Sequence, residues 1–269
     1  MISRMFEGTR RLRKKISRSR LAARLFGHEI PQGTSDKPGL IMIQVDGLSR
    51  TQMEAAMRKG RLPFLKRLIR ERHFSLESFY SGMPSTTPAV QGEIFYGSRA
   101  AVPAFHFLQR KTGRAVKMYQ ADVATEFGGK LEQEAGSGLL AEGRSYSNIY
   151  RAGAARSRYC AEDFAPNEIF RKLHPFKSLL LGLVYAPKIL RMFGLGLVEF
   201  ALALVDLFKG FYRRRNFLKE LQFVPSRVGV CVVLRELIRF RILLDIEGGE
   251  RIVHANLLGY DEQAHRRGP

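Results

Sequence analysis

Asp46, Thr87, Asp261 and His265 are the side chains whose types and settings could do chemistry together. Asp46 follows the apolar run Leu40-Ile41-Met42-Ile43-Gln44-Val45 and precedes Gly47. Thr87 stands in the corner Pro84-Ser85-Thr86-Thr87-Pro88, where Thr86 is the other candidate nucleophile. Asp261 and His265 lie four residues apart in Gly259-Tyr260-Asp261-Glu262-Gln263-Ala264-His265-Arg266-Arg267-Gly268-Pro269. A carboxylate at the carboxyl end of a strand is placed to ligate a metal or take a proton. A hydroxyl at a helix N-terminus sits beside unpaired backbone N–H groups and the positive end of the helix dipole, where a phosphoryl group can dock. An Asp and a His one helical turn apart project from the same face and can share a cation, and both are ordinary zinc ligands. Taken singly, each has a bland reading: a turn aspartate, a threonine cap, a surface pair. Taken together, they are the parts of a two-metal hydrolase. In such a site the metals hold phosphoryl oxygens and activate the nucleophile, and a threonine carries the phosphoryl group until water releases it.

The surrounding sequence predicts the elements that would position these groups. Leu40–Val45 is nearly continuous in apolar residues and predicts a central strand covered on both faces. Ser49 can cap the following helix, with Met53, Ala56 and Met57 inward, and Gly60 ends it. Pro63 opens another helix, with Phe64, Leu65, Leu68 and Ile69 inward. The alternation of Phe74 to Phe79 predicts a second strand. Pro88 fits the first position of a helix that runs to Tyr96 and stops at Gly97, which makes Thr87 its N-cap. Asp122–Leu131 reads as helix, 136–138 and 143–145 as loops, and His106 as either a phosphate contact or an ordinary surface or packed histidine. Residues 226–246 read as a long helix with a basic face, Gly248-Gly249 as its break, and Ile252–Leu258 as a returning strand with His254 facing the core.

With 269 residues there is room for one α/β domain with a large core. The formal charge of +20 favours anionic partners: phosphorylated substrates, acidic lipid or nucleic acid. Residues 1–38 form a basic arm that alternates Arg and Lys with Phe6, Leu12, Ile16, Leu21 and Leu25. It reads as an amphipathic helix for an anionic membrane surface or as a solvated tail. Ser178 to Phe208 is apolar, but Lys188, Arg191, Glu199 and Asp206 interrupt it below membrane-spanning length. The segment reads as packed helices or as a hairpin lying in a membrane interface, with Arg213-Arg214-Arg215 behind it. Cys160 and Cys231 have no metal spacing and read as reduced thiols. A cleaved secretion signal is not expected, and the expected place is the cytoplasm, peripheral on the inner membrane face.

On these blocks the sequence resembles the alkaline phosphatase superfamily, and within it the type I phosphodiesterase/nucleotide pyrophosphatase group. Val45-Asp46-Gly47, Met83-Pro84-Ser85-Thr86-Thr87-Pro88-Ala89 and Gly259 to Pro269 carry the likeness, helped by the helical spacer with Gly60 and Pro63. It covers residues 39–97 and 250–269 well and the middle poorly. The resemblance implies a three-layer α/β sandwich around a mostly parallel sheet, spanning 39–269 with a helical insertion at about 166–248. It implies that Asp46 and Thr87 bind one zinc, that Asp261 and His265 bind another, and that Thr87 attacks a phosphate mono- or diester. The family's phosphate-binding asparagine has no counterpart in Val102-Pro103-Ala104-Phe105-His106, and no Asp-His-Gly segment occurs in the sequence. The expectation is therefore a domain incomplete at its C-terminus and hydrolysing weakly or not at all. The alternative, from a different class, is a non-catalytic basic module for a membrane surface or nucleic acid.

Overall fold

The computed structural model describes residues 38–98, 102–163, 183, 185–212, 217–261 and 263. The basic arm up to residue 37 and His265 lie outside the described residues. The architecture is α/β. A four-stranded parallel sheet is built from β1 (Leu40–Val45), β4 (Arg144–Tyr146), β5 (Arg156–Arg158) and β6 (Ile252–Leu257). Its order is β1-β6-β4-β5, and a separate antiparallel hairpin is formed by β2 (His106–Gln109) and β3 (Arg114–Lys117).

Strand β6, not β1, is the inner, covered strand. Val253, His254, Ala255 and Asn256 are all buried, and β6 pairs with β1 on one side and β4 on the other. β1 is an edge strand whose Ile41 and Ile43 are 53% and 60% exposed. The apolar run that suggested a doubly covered strand is thus covered on one face only, by Met42 packing against the core. Registry is one to one, from Leu40 opposite Ile252 to Val45 opposite Leu257, so the carboxyl ends of β1 and β6 lie side by side.

Alternation along the two strands assigns their faces. Gln44 reaches Gln91, and His254 stacks edge-on against Phe95 with ring centroids 4.9 Å apart. Both partners belong to α3 (Thr87–Tyr96). That side is filled by the larger core, in which Phe95 meets Val123, Phe127 and Leu131 of α4 (Ala121–Ala135) and Met118, Leu140 and Tyr150. The other face holds Val253 and Ala255 against Ile238 and Ile242 of α7 (Arg235–Glu247). α7 is also tied to the sheet through Arg144–Asp245 and Tyr146–Asp245 contacts.

The first helices follow local signals closely. α1 (Arg50–Arg58) starts with a reciprocal capping box between Ser49 and Gln52, and α2 (Pro63–Arg70) starts on its proline. The strand expected at 74–79 is absent: residues 75–82 have no regular structure, and Phe74 and Phe79 are exposed. Period-two alternation makes a strand only where a neighbouring edge takes its hydrogen bonds, and among the described residues none does. Conversely, 143–145 is not all loop, because Arg144–Tyr146 is β4.

Between β5 and β6 run α5 (Ala186–Tyr212), α6 (Phe217–Val228), a π-helical segment Gly229–Leu234 and α7. Gly248 caps α7 at the foreseen break. Among the described residues no helix is long and apolar enough to cross a membrane.

Candidate active site

Asp46 is the residue after β1, and its backbone N–H still reaches Leu257 O at 3.4 Å, so the β1–β6 ladder carries it into place. Its carboxylate lies on the α3 side of the sheet. There the Thr87 hydroxyl donates to Asp46 Oδ2 at 2.8 Å, joining two residues 41 positions apart. A hydroxyl donating to a carboxylate at this distance is the geometry that a nucleophile and its proton acceptor would need.

The local setting of Thr87 differs by one position from the sequence reading. The helix starts at Thr87, with Pro88 behind it, and Thr86 is the N-cap, with φ −84° and ψ 147°. Proline is tolerated throughout the first helical turn, since N–H groups there have no intrahelical partner, so Pro88 alone did not fix the register. No side chain caps this helix, and the Thr86 hydroxyl is buried without a hydrogen-bond partner. Gly97 ends the helix in the left-handed conformation, with φ 69°. The helix is held against the sheet by Gln91, which is fully buried. Gln91 accepts from the Ile149 N–H at 2.8 Å and donates to Asn148 Oδ1 at 3.0 Å and Gln44 Oε1 at 3.2 Å. One turn below Thr87, this network fixes the depth and rotation of the helix that carries the hydroxyl.

Asp261 arrives from the neighbouring strand. After β6 the chain turns into helical backbone at 259–261. The turn passes close to the π-helical segment: a Cβ on Gly259 would lie 3.1 Å from Cys231 Cα, and the Cys231 thiol donates to Gly259 O at 3.3 Å. Gly47, with φ +73°, faces Asp261 so closely that a Cβ there would lie 2.7 Å from Asp261 Oδ1. Asp46–Gly47 and Asp261 therefore meet at the carboxyl end of adjacent parallel strands, where open α/β sheets place their ligand sites.

Asn256 is a member of this group that the sequence reading passed over. It is 1% exposed on β6, its Nδ2 lies 3.5 Å from Asp46 Oδ2, and its Oδ1 is buried without a partner. Its signal was present: a polar side chain two residues beyond His254 on the same face of a strand otherwise apolar at its centre. His254, also 2% exposed, faces the core as expected. Burial pushes its imidazole down to about 4, so it is neutral near pH 7, and its Nδ1 has no partner. His106 is on the separate hairpin, with its ring 5.2 Å from Tyr119.

The donor set is made of oxygens: the Asp46 and Asp261 carboxylates and the Thr87 hydroxyl. Among the described residues no group of three or more His, Cys, Asp and Glu side chains gathers to hold a metal. Asp46 and Thr87 would offer two oxygen donors to a divalent ion, and Asp261 would offer one. The described residues complete neither shell.

A cavity of about 280 Å³ lies on the opposite face of the sheet, lined by Val45, Leu257, Cys231, Leu234, Ile238 and Tyr260 among others. It faces the α7 side, whereas the Asp46–Thr87 pair faces α3, so the cavity is not the place where Thr87 would meet a substrate. Compared with protein-family models, curated proteins and solved structures, the chain gives no significant match.

Proposed function

We propose that this chain carries the nucleophile of a phosphate-ester hydrolase with an alkaline-phosphatase-like sandwich, in which Thr87 attacks phosphorus and Asp46 accepts its proton. The observation that supports this reading most is the 2.8 Å hydrogen bond from the Thr87 hydroxyl to Asp46, across 41 residues of sequence, at the carboxyl end of a parallel sheet. A threonine kept only to cap its helix would accept from backbone N–H groups two or three residues on; Thr87 is the first helical residue and points its hydroxyl at a carboxylate instead.

In the proposed step the Thr87 oxygen forms a bond to phosphorus, the bond to the leaving alkoxide or phenolate breaks, and the threonine proton passes to Asp46. Water later cleaves the phosphorus–threonine bond and restores the hydroxyl. The amide end of α3, uncapped by any side chain, faces the charge that develops on the phosphoryl oxygens. Asn256 Nδ2 holds Asp46 from the strand below and keeps its carboxylate turned to Thr87. Divalent ions, zinc being the simplest choice, would be held by Asp46 and Thr87 and by Asp261, with His265 as a further ligand, and would polarise the phosphoryl oxygens when bound.

The test is a single-turnover one. The chain is incubated with zinc chloride and bis-p-nitrophenyl phosphate, and released p-nitrophenolate is followed beside the intact mass of the protein. The expected result is a burst of up to one p-nitrophenolate per chain and a nitrophenyl-phosphoryl adduct mapping to Thr87, absent in Thr87→Val. An adduct that persists in Thr87→Val, or no adduct in either protein, would overturn the proposal.

A further inference from the structure

We propose that α5 is a surface helix that lies flat on an anionic phospholipid bilayer, with its outward stripe in the headgroup–acyl boundary. This rests on a different part of the molecule from the hydrolase reading and stands or falls apart from it.

The first observation is an apolar face with nothing described against it. At 100° per residue, Leu190, Phe193, Leu197, Val205, Phe208 and Tyr212 fall on one side of α5. Leu190, Leu197 and Phe208 are each 70% exposed, and Tyr212 is 92% exposed. From Leu190 to Tyr212 the stripe runs about 33 Å at 1.5 Å per residue. Contiguous exposed apolar surface of this extent is uncommon on soluble domains and marks a contact surface.

The second observation is how charge is distributed around the helix. Its acidic side chains, Glu199 and Asp206, turn the other way, toward α6. They meet Arg227, which is 1% exposed: its Nε donates to Glu199 and its Nη1 to Asp206 at 2.6 Å. Gln263 also donates to Glu199, at 3.1 Å. Both acids are thereby held on the inner face by one buried guanidinium. The cations that border the stripe are Arg191 and Lys209, both exposed, and among the described residues no acid stands beside them. Long basic side chains at the edge of an apolar stripe can lay their methylenes along it and extend their charges to lipid phosphates.

This charge pattern selects the occupant. An apolar protein partner would tolerate outward acids, whereas an anionic lipid surface would repel them, and here both acids are taken inside while the cations stay out. The formal charge of +20 points the same way. The helix lies on the surface rather than crossing it, since no described helix is long and apolar enough to span.

The sequence has no tryptophan, so Leu197→Trp places a single reporter within the stripe, and Leu108→Trp places one on the exposed surface of the β2–β3 hairpin as a control. Each full-length variant is titrated with vesicles of phosphatidylcholine alone or with one quarter phosphatidylglycerol, with and without dibrominated phosphatidylcholine. The expected result is a blue shift at position 197 with anionic vesicles, quenching by the brominated lipid, and neither change at position 108. Phe193→Ser combined with Leu197→Ser lowers partitioning at least about tenfold, with the basic arm intact in every protein. A position-197 emission already blue without lipid, or one that shifts with protein concentration as the mass doubles, would mean that protein covers the stripe, and would overturn the proposal. Partitioning unchanged by the double substitution would overturn it too.

Discussion

Gly47→Ala separates the role of backbone shape from that of the carboxylate it faces. Gly47 has φ +73°, and an alanine there would place its Cβ 2.7 Å from Asp261 Oδ1 and 3.4 Å from Asp261 Cβ. Two costs are combined. The left-handed backbone disfavours any L side chain by about 1–2 kcal/mol. The contact with Oδ1 falls well inside ordinary van der Waals distance, so the Asp261 carboxylate must move from its present position. Gly60 isolates the first cost. It has φ +68°, almost the same conformation, and a Cβ on it would meet nothing within 4 Å. Urea denaturation should therefore show Gly60→Ala losing about 1–2 kcal/mol and Gly47→Ala at least as much. The p-nitrophenolate burst should survive in Gly60→Ala and fall in Gly47→Ala, by about tenfold or more, since displacing a catalytic group by a fraction of an ångström has costs of that order. Equal bursts in the two variants would show that the position of Asp261 does not matter to Thr87, and the assembly of the site from two strand ends would be refuted.

Two further substitutions address the frame around the site. Gln91→Leu keeps the side-chain volume but strips partners from the buried Ile149 N–H and Asn148 Oδ1, so it should lower stability by about 3 kcal/mol in urea titration; a loss below about 1 kcal/mol would mean that the network does not anchor α3. His254→Phe bears on pH. The folded protein holds the His254 pKa near 4 against an ordinary 6.5, so the unfolded chain binds that proton first, and the stability due to neutral His254 is present above pH 6.5 and lost toward pH 4. Glu162, whose pKa burial and then the Asp163 charge push up to about 7 against the opposing Arg151 N–H, acts in the opposite sense, adding stability as pH falls from 7 toward 4.5. The stability of His254→Phe relative to wild type should rise with acid by up to about 3 kcal/mol between pH 6.5 and 4, the integral of a single proton over that window. A pH-independent difference between the two proteins would refute the neutral, buried histidine.

What could be read from the sequence divides along physical lines. Signals that act within one turn of chain were legible: the Ser49 capping box, Pro63 opening α2, Gly97 closing α3 and the glycine break at Gly248. Strands were legible where an apolar run was long, as for Leu40–Val45 and Ile252–Leu257. Which of them would be the covered one was not, because coverage depends on neighbours supplied from elsewhere in the chain. The purer apolar run went to the edge, and the run containing His254 and Asn256 went to the inside. β4 and β5 were invisible, since three-residue strands that begin with arginine have neither length nor apolar pattern and exist only through pairing with β6 and each other. The helix at Thr87 was expected, but its start was misplaced by one residue, and that residue matters. Thr86 is the N-cap, and Thr87 at the first helical position is the one whose hydroxyl reaches Asp46.

Asn256 shows why the site needed the fold to become visible. Asparagine in a strand gives no local sign of function, and its Nδ2–Asp46 distance of 3.5 Å is a long contact taken alone. Its weight comes from position. It shares a face with His254, sits beside Gln44 in the β1–β6 register, and lies one residue short of the strand end from which the chain runs on to Asp261. Water cannot easily reach it, so its unpartnered Oδ1 carries a desolvation cost that a purely structural strand would be expected to avoid. The Thr86 hydroxyl, one residue before Thr87, carries the same cost. Two orphaned polar atoms flank one hydroxyl–carboxylate pair, next to a helix end that no side chain caps. In the proposed function these groups would receive a phosphate ester, whose acceptor oxygens would meet the donors at the helix end while its phosphorus faces Thr87.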